Sequence, residues 1–411
     1  MRQKILLKGP LLTRSGYGEQ SRFALRSLRS REDVFDIYIQ PLQWGHTSWI
    51  NIESEERSWI DHTIEKTIAY IQQGGQFDIA LQITIPNEWE RLAPINVGYT
   101  AGIETTKVAP EWLANGNQVD KIIVVSNHSK QVYENTNYMG TDEQTNQEVH
   151  LSLNKSIDVV GYPVKTYEDL PNLDLKLDYD FNFLTVAQFG PRKNIPNTVK
   201  WFVEEFRNEE VGLVLKANIA KNCLIDREKL FADMKGFMSH LGEHQCKVYL
   251  LHGDMSDEEM HALYNHPNID ALLALPHGEG FGLPIFEAAY SGTPVIATGW
   301  SGHMDFLCDE EGEEHFYNVS FDIQPVQENV VWDGVIVKES MWAYPREQSA
   351  KEKMRECYNN REDKNSFCEY ATQLRERFSE EKLYAAFCDA IYSPSEEDKE
   401  WLKQLSEIEL L

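Results

Sequence analysis

The segment best suited to chemistry is the glycine-rich run from His277 to Glu287. Its glycines allow a tight, exposed loop, and Pro284 fits the first turn of a helix, where its missing N–H costs nothing. The backbone N–H groups of Phe281, Gly282 and Leu283 would then point out of a helix N-terminus towards an anion. The run therefore predicts a loop that binds a negatively charged ligand.

Two carboxylates flank this predicted helix start. Glu279 lies in the loop, and Glu287 lies about one turn into the helix. Carboxylates accept hydrogen bonds from paired hydroxyls, such as those of a ribose or a sugar ring. The spacing predicts two carboxylates at two depths of one pocket. The alternative interpretation is an ordinary helix cap followed by a surface glutamate.

Two adjacent cations, Arg192 and Lys193, follow a predicted strand and precede a predicted helix. A lysine at such a position can neutralise a diphosphate as a point charge. The alternative is a solvated pair on an exposed turn. A second glycine loop, Ser15-Gly16-Tyr17-Gly18, follows the first predicted strand. It suits a ligand near a helix N-terminus, and a plain strand-to-helix turn explains it equally well.

These loops belong to an alternation of short apolar runs and helical stretches. Runs rich in β-branched residues and separated by helices indicate parallel sheets covered on both faces. Strands are predicted at 4–8, 34–39, 77–84, 121–125, 157–164, 183–187, 211–216, 248–251, 271–275 and 295–298. The polar stretch 165–180 divides the strands into two groups, so two doubly wound α/β domains in series are expected.

The remaining segments are predicted to be helical or irregular. Ser256 to Glu259 has the capping-box pattern of a helix start. The polar stretch 136–155 predicts an exposed loop, and the acidic stretch 309–329 resembles an insertion. Further helices are predicted at 20–28, 60–72, 348–358, 365–378, 380–389 and 398–410.

Composition excludes several classes of function. The chain has 66 acidic and 39 basic residues and a formal net charge of −27, which argues against nucleic acid as a partner. No run of about 18 apolar residues is present, so no transmembrane segment is expected. The six cysteines form no Cys-x-x-Cys pair, and the histidines show no metal-ligand spacing. A cytoplasmic protein without a metal site or a cofactor is predicted.

Several motifs together resemble one family. The Glu279 to Glu287 segment is similar to the E-x7-E motif of the GT-B glycosyltransferases of family 4. Gln188 to Lys193 occupies the place of that family's phosphate-binding Arg-x4-Lys, with Gln188 in place of the arginine. Segments 15–18, 99–105, 124–129 and 300–303 also resemble members of this group.

The resemblance implies an α/β fold with two Rossmann-like domains facing a cleft and a helical C-terminal tail. The expected domains are an acceptor-side domain at 1–164 and a nucleotide-sugar-binding domain at 165–379. The C-terminal helices at 380–411 are expected to cross back to the first domain. The implied activity is metal-independent transfer of a hexose-type sugar, with retention of configuration, from a nucleotide-diphosphate sugar to a glycan or other acceptor.

The resemblance also implies roles for individual residues. Glu279 would contact the transferred sugar, and Lys193 with Arg192 would stabilise the departing diphosphate, together with the N–H groups of the 281–283 loop. Glu287 would bind the ribose. Further donor-binding residues are expected to be Gly16, Gly280, Phe281, Gly282 and Leu283, and acceptor-side residues Tyr17, Gly18, Thr100 and Glu104.

Two other interpretations stay open at this point. One is another GT-B-type enzyme, such as an epimerase or a phosphorylase, because a fold does not fix a function. A phosphorylase would need a cofactor lysine that the sequence does not place. The other is a non-catalytic protein that binds a nucleotide sugar or a glycan. A donor-hydrolysis assay would separate these interpretations.

Overall fold

The structure of the chain is a computed structural model that describes residues 2–45, 47–51, 53–141 and 148–392. It contains two six-stranded parallel sheets, one from each half of the chain. The predicted helix at 398–410 lies outside the described residues.

The first sheet has the strand order β2-β1-β3-β4-β5-β8, with every pair parallel. The strands of this half are β1 (Gln3–Gly9), β2 (Phe35–Pro41), β3 (Ile79–Ile83), β4 (Ile95–Thr100), β5 (Lys121–Val124), β6 (Asn137–Thr141), β7 (Glu148–Ser152) and β8 (Ile157–Val159). The helices are α1 (Gly16–Arg29), α2 (Glu55–Gln72), α3 (Pro110–Gly116) and α4 (Asn127–Asn135). We call this half the first unit.

The second sheet has the order β11-β10-β9-β12-β13-β14, again with parallel pairs. Its strands are β9 (Phe181–Gln188), β10 (Val211–Asn218), β11 (Lys247–Leu251), β12 (Ala271–Ala274), β13 (Val295–Thr298) and β14 (Tyr317–Val319). Its helices are α5 (Ile195–Glu205), α6 (Leu224–Ser239), α7 (Asp257–Tyr264), α8 (Leu283–Tyr290) and α9 (Met304–Leu307). We call this half the second unit.

The predicted alternation of strands and helices is confirmed in both halves, with local differences. The capping box at Ser256 and Glu259 is present at the start of α7. The strand predicted at 157–164 ends at Val159, and β4 was missed. The loop predicted at 136–155 is wrong in part, since β6 and β7 form an antiparallel hairpin. Residues 148–152 do alternate polar and apolar side chains, a strand pattern that was missed within the polar composition of the whole stretch.

The C-terminal helices pack against both units. They are α10 (Glu347–Asn359), α11 (Asn365–Arg377) and α12 (Glu380–Ile391), after a hairpin of β15 (Phe321–Pro325) and β16 (Met341–Pro345). The ring of Phe387 in α12 lies 5.1 Å from that of Phe23 in α1, and Lys121 Nζ donates to the carbonyl of Ala390 at 3.0 Å. The last described helix therefore contacts the first unit, while the exact domain limits stay predictions.

Among the described residues, none of the helices combines the length and the apolar character that crossing a bilayer requires.

Candidate functional site

Arg192 and Lys193 lie on the turn that follows β9. Pro191 opens a short 3-10 helix from Pro191 to Lys193, and Asn194 ends it in the left-handed conformation with a φ of 55°. The chain then enters α5 directly. Both cations are thereby held at the carboxyl end of the parallel sheet, where open α/β sheets bind ligands.

Glu279 lies on the loop between β12 and α8. Gly282 has a φ of 96°, a conformation that favours glycine, and it turns the chain into the helix. The N–H of Glu279 donates to Ser301 Oγ at 2.9 Å, and its carbonyl accepts from the N–H of Gly302, also at 2.9 Å. Both backbone groups of Glu279 are thus fixed, and its side chain has a defined direction.

The carboxylate of Glu279 joins the two cations into one cluster. Its Oε1 lies 2.5 Å from Lys193 Nζ, and its Oε2 lies 2.7 Å from Arg192 Nη1. Arg192 Nη2 also lies 3.6 Å from Glu104 Oε1 of the first unit. Burial alone would raise the pKa of Glu279, but the two cations outweigh it and lower that pKa to about 2. Glu279 is therefore ionised at neutral pH.

The cluster lies where the two units meet. A Cβ on Gly278 would overlap the carbonyl oxygen of Glu104, and a Cβ on Gly280 would overlap that of Ala101. Ser126 Oγ of the first unit donates to the carbonyl of Gly280 at 2.6 Å. The glycine loop of the second unit therefore lies directly against the first unit, with the cleft closed around the charged groups.

The start of α8 offers free donors beside this cluster. Within the part of the chain that the structure describes, no hydrogen bond uses the N–H of Phe281, Gly282 or Leu283. Pro284 occupies the first helical turn, as predicted. Unpaired N–H groups at a helix N-terminus attract an anion, because they carry the positive end of the helix dipole.

Glu287 occupies a different environment from Glu279. Its Oε2 accepts a hydrogen bond from Tyr264 at 2.9 Å, and it lines a cavity with Lys165, Tyr167 and Tyr290. Burial raises the pKa of Glu287 to about 7. Among the residues that the structure describes, no hydrogen bond or ion pair joins Glu287 to Glu279, Arg192 or Lys193, so the two carboxylates lie in separate environments.

Two of the four acceptor-side candidates, Tyr17 and Thr100, are in direct contact. Tyr17 and Thr100 share a hydrogen bond of 2.7 Å between their hydroxyls, and Ser15 caps α1 by accepting from the N–H of Gly18. A Cβ on Gly18 would overlap the carbonyl of Thr13, whereas Gly16 faces open space. Glu104 approaches the cluster through Arg192, as described above. The loop of residues 15–18 thus combines a close backbone approach with one exposed glycine.

Sequence reasoning assigned no role to several residues that hold this site. Ser301 has a φ of 88°, which is uncommon outside glycine and marks local strain. Ser126 and Tyr264 contact Gly280 and Glu287 from other elements. Lys165 lies 2.8 Å from both Glu19 of α1 and Asp257 of α7. The sequence pointed to two of these residues only indirectly, because the segments 124–129 and 300–303, which contain Ser126 and Ser301, resemble members of the glycosyltransferase family.

The comparisons with known proteins agree with this geometry. Residues 175–374 match the family model described as Glycosyl transferases group 1. This part of the chain is a group 1 glycosyl transferase domain. The domain contains the whole second sheet, Arg192, Lys193, Glu279 and Glu287. A comparison with curated proteins gives no significant match.

Solved structures extend the likeness to the full chain. HepE of Anabaena, in complex with UDP and glucose, has a TM-score of 0.59 at 13% identity over 99% of this chain and 100% of that chain. Sucrose-phosphate synthase of Thermosynechococcus elongatus has a TM-score of 0.59 at 12% identity, covering 98% and 99%. The catalytic domain of Starch Synthase IV of Arabidopsis thaliana, bound to ADP and acarbose, gives 0.56 at 10% identity, covering 95% and 99%.

These identities are low, so the structural likeness concerns the fold. It confirms the expected GT-B architecture of two Rossmann-like domains with C-terminal helices. With the glycosyl transferase domain, it supports a glycosyltransferase as the class of protein.

Proposed function

We propose that the chain transfers a hexose-type sugar from a nucleoside-diphosphate sugar to a glycan or other acceptor, with retention of configuration. The observation that carries this proposal is the convergence of Arg192, Lys193 and the free N–H groups at the start of α8. A sugar diphosphate donor releases a diphosphate, and positive groups fixed in advance stabilise the charge that develops on it.

The kind of donor follows from the same site and from the structural neighbours. HepE has been solved with UDP-glucose and with UDP, and Starch Synthase IV with ADP. In this chain, we place the ribose at Glu287, whose carboxylate can accept from two hydroxyls once it is ionised. The neighbouring aromatic groups of Tyr167, His261 and Tyr290 would then lie near the nucleoside.

Glu279 has two tasks in this proposal. Without a donor it neutralises Lys193 and Arg192, which would otherwise be buried charges without a counter-ion. When the donor binds, its diphosphate takes the place of this carboxylate beside Lys193. Glu279 then turns to the hydroxyls of the transferred sugar, so that one exchange both binds the leaving group and orients the sugar.

The reaction itself needs no further charged group. The bond between the anomeric carbon and the diphosphate oxygen breaks, and the diphosphate leaves with the electron pair. The acceptor oxygen bonds to the anomeric carbon on the same face, and its proton passes to the departing diphosphate. The negative charge that develops on the diphosphate is stabilised by Lys193, Arg192 and the N-terminus of α8. We therefore propose that no metal ion takes part. A cytoplasmic location likewise stays a prediction.

The first test of the proposal is whether the protein binds a nucleoside diphosphate. Nucleoside diphosphates that differ in base are screened for their effect on the midpoint of thermal unfolding, because a ligand of the folded state stabilises it by mass action. One or more should raise the midpoint, and the rise should fall in Glu287→Ala. If no nucleoside diphosphate changes the midpoint at millimolar concentration, the donor class is wrong.

A further inference from the structure

The hairpin of β15 and β16 contacts both units beside the charged cluster. We call residues 320–345 the strap. At its tip, the carbonyl of Gly334 accepts from Asn87 Nδ2 at 2.8 Å and from Trp112 Nε1 at 3.0 Å. Val335 is buried in the apolar cluster that contains Trp112 and Trp89 of the first unit. The tip is therefore anchored in the first unit, although the strap belongs to the second half of the chain.

The strap meets the first unit again close to Glu104. The N–H of Thr106 donates to the carbonyl of Met341 at 2.9 Å, and the N–H of Met341 donates to Thr106 Oγ1 at 2.9 Å. Thr106 lies two residues from Glu104, which reaches Arg192. This contact fixes the part of the first unit that faces the cluster.

In the second unit the strap is held by His277. The N–H of Ala343 donates to the carbonyl of His277 at 3.0 Å, and His277 Nδ1 donates to the carbonyl of Ala343 at 2.7 Å. The fully buried ring of Trp342 stacks on the imidazole, with centroids 4.8 Å apart and an angle of 13°. Because a carbonyl can only accept, Nδ1 of His277 carries a proton.

His277 connects these contacts to the charged groups. Its backbone N–H donates to the carbonyl of Arg192 at 2.8 Å. The next residue, Gly278, accepts at its carbonyl from Arg192 Nη1, also at 2.8 Å. A shift of the strap at Ala343 would therefore move His277, and with it the backbone and the side-chain partner of Arg192.

We propose that the strap is a latch between the two units, and that His277 is the positioning residue through which the closed latch fixes Arg192. Opening the cleft requires the tip to leave Asn87 and Trp112 and Val335 to leave its apolar surroundings. Such contacts form or break together, which gives two discrete states rather than a gradual movement. The latch itself does not depend on the proposed function, whereas the role of His277 in turnover rests on it.

The latch is tested by a matched pair of substitutions on the strap. Val335→Asp places a charge among the buried residues of the first unit, and Val331→Asp places one on an exposed part of the same strap. Hydrogen–deuterium exchange of the Thr106 and Met341 amides reads the closed state, because each donates to an acceptor of the other residue across the contact between the strap and the first unit. We expect exchange to rise about ten-fold or more in Val335→Asp and to stay within about two-fold of wild type in Val331→Asp.

A milder pair decides the matter if Val335→Asp does not fold. Gly334 has a φ of 69°, and a Cβ there would lie 2.9 Å from Asn87 Nδ2. Gly312 has a φ of 87° with open space around it, so Gly312→Ala causes the same backbone strain without touching the first unit. Faster exchange at Thr106 and Met341 in Gly334→Ala alone is expected. Equal exchange in both variants, with unchanged small-angle scattering, would overturn the latch.

The positioning role is read by comparing His277→Ala with His277→Asn. The asparagine amide keeps a donor near the position of Nδ1, so it should restore the bond to Ala343. We expect His277→Ala to lower kcat about ten-fold at nearly unchanged KM for the donor, and His277→Asn to recover most of it. Equal loss in both variants would overturn this role. Since exchange is measured without substrate, a protein with no turnover would contradict the proposed function and leave the latch test intact.

Discussion

Lys193 Nζ lies 2.5 Å from Glu279 Oε1, although 86 residues separate them in the sequence. The lysine is on the turn after β9 and the glutamate on the loop after β12, and these two strands are neighbours in the second sheet. The carboxyl ends of adjacent parallel strands thus bring together one cation and one anion that each came from a separate sequence motif. The effects expected of Lys193→Ala and of chelation depend on this cluster of charges.

Lys193→Ala should lower the turnover rate at least about 100-fold, because it removes a fixed positive group from the leaving diphosphate. Gln188 provides no compensating charge, and its side chain donates to the carbonyl of Ile219. Arg192→Ala should cost less. Steady-state kinetics on both variants, with Lys200→Ala as the control from α5, checks this. A larger loss in Arg192→Ala than in Lys193→Ala would show that the leaving group is bound by the arginine.

Glu287→Gln should change how the stability of the protein depends on pH. The pKa of Glu287 is raised from 4.5 to about 7, so the folded state holds the proton more tightly than the unfolded state. The stability that protonation contributes is complete below pH 4.5 and is lost as pH rises through 7. Glutamine cannot ionise, so at pH 8 the variant should gain roughly 1–3 kcal/mol over wild type.

Urea unfolding at pH 4 and pH 8 measures that difference. At pH 4 the two proteins should have nearly equal free energies of unfolding. Glu65→Gln, on the exposed side of α2, is the matched control and should show no such gain. A gain in Glu287→Gln that is equal at both pH values would contradict the raised pKa.

The two carboxylates differ in how far the sequence could predict them. The loop from His277 to Glu287 encodes its own geometry, because glycines, a proline and a following apolar helix act locally. This local geometry fixes Glu279 after β12, whereas its contact with Arg192 and Lys193, which was not predicted, follows from the pairing of β9 with β12. The partners of Glu287, Tyr264 and Lys165, come from α7 and from the stretch between the units, and no local pattern points to them. Their placement depends on tertiary packing.

The contacts of the strap could not be predicted from local sequence patterns either. Part of it lies in the acidic stretch 309–329, which was predicted only to be an insertion. Gly334 of the strap is more than 200 residues away in sequence from Asn87 and Trp112, which it contacts. Contacts of that separation depend on how the two units meet, which single-sequence patterns of charge and hydrophobicity do not encode.

Gly280→Ala should separate the units at the site. A Cβ there would overlap the carbonyl oxygen of Ala101, and backbone cannot move aside as a flexible side chain can. We expect turnover to fall about 100-fold, since a displacement near 1 Å is enough for such a loss. Gly236→Ala, in α6 with open space around it, should behave like wild type. Equal activities of the two variants would mean that the closed contact is not needed for reaction.

Excess EDTA should leave activity unchanged, because Lys193, Arg192 and the N-terminus of α8 supply the positive charge that a metal ion would otherwise supply. Initial rates are compared before and after chelation, and again after magnesium or manganese is added back. Activity that is lost on chelation and restored by either ion would contradict the metal-independent reaction.

The proposed sugar transfer is measured most directly as release of nucleoside diphosphate from a panel of sugar donors, among them UDP-glucose, GDP-mannose and UDP-N-acetylglucosamine. Wild-type protein is compared with Lys193→Ala, and both are checked for folding by circular dichroism. We expect enzyme-dependent release from at least one donor, lowered about 100-fold or more in Lys193→Ala. Release at equal rates by both proteins, or binding of a donor without any release by wild type, would contradict it.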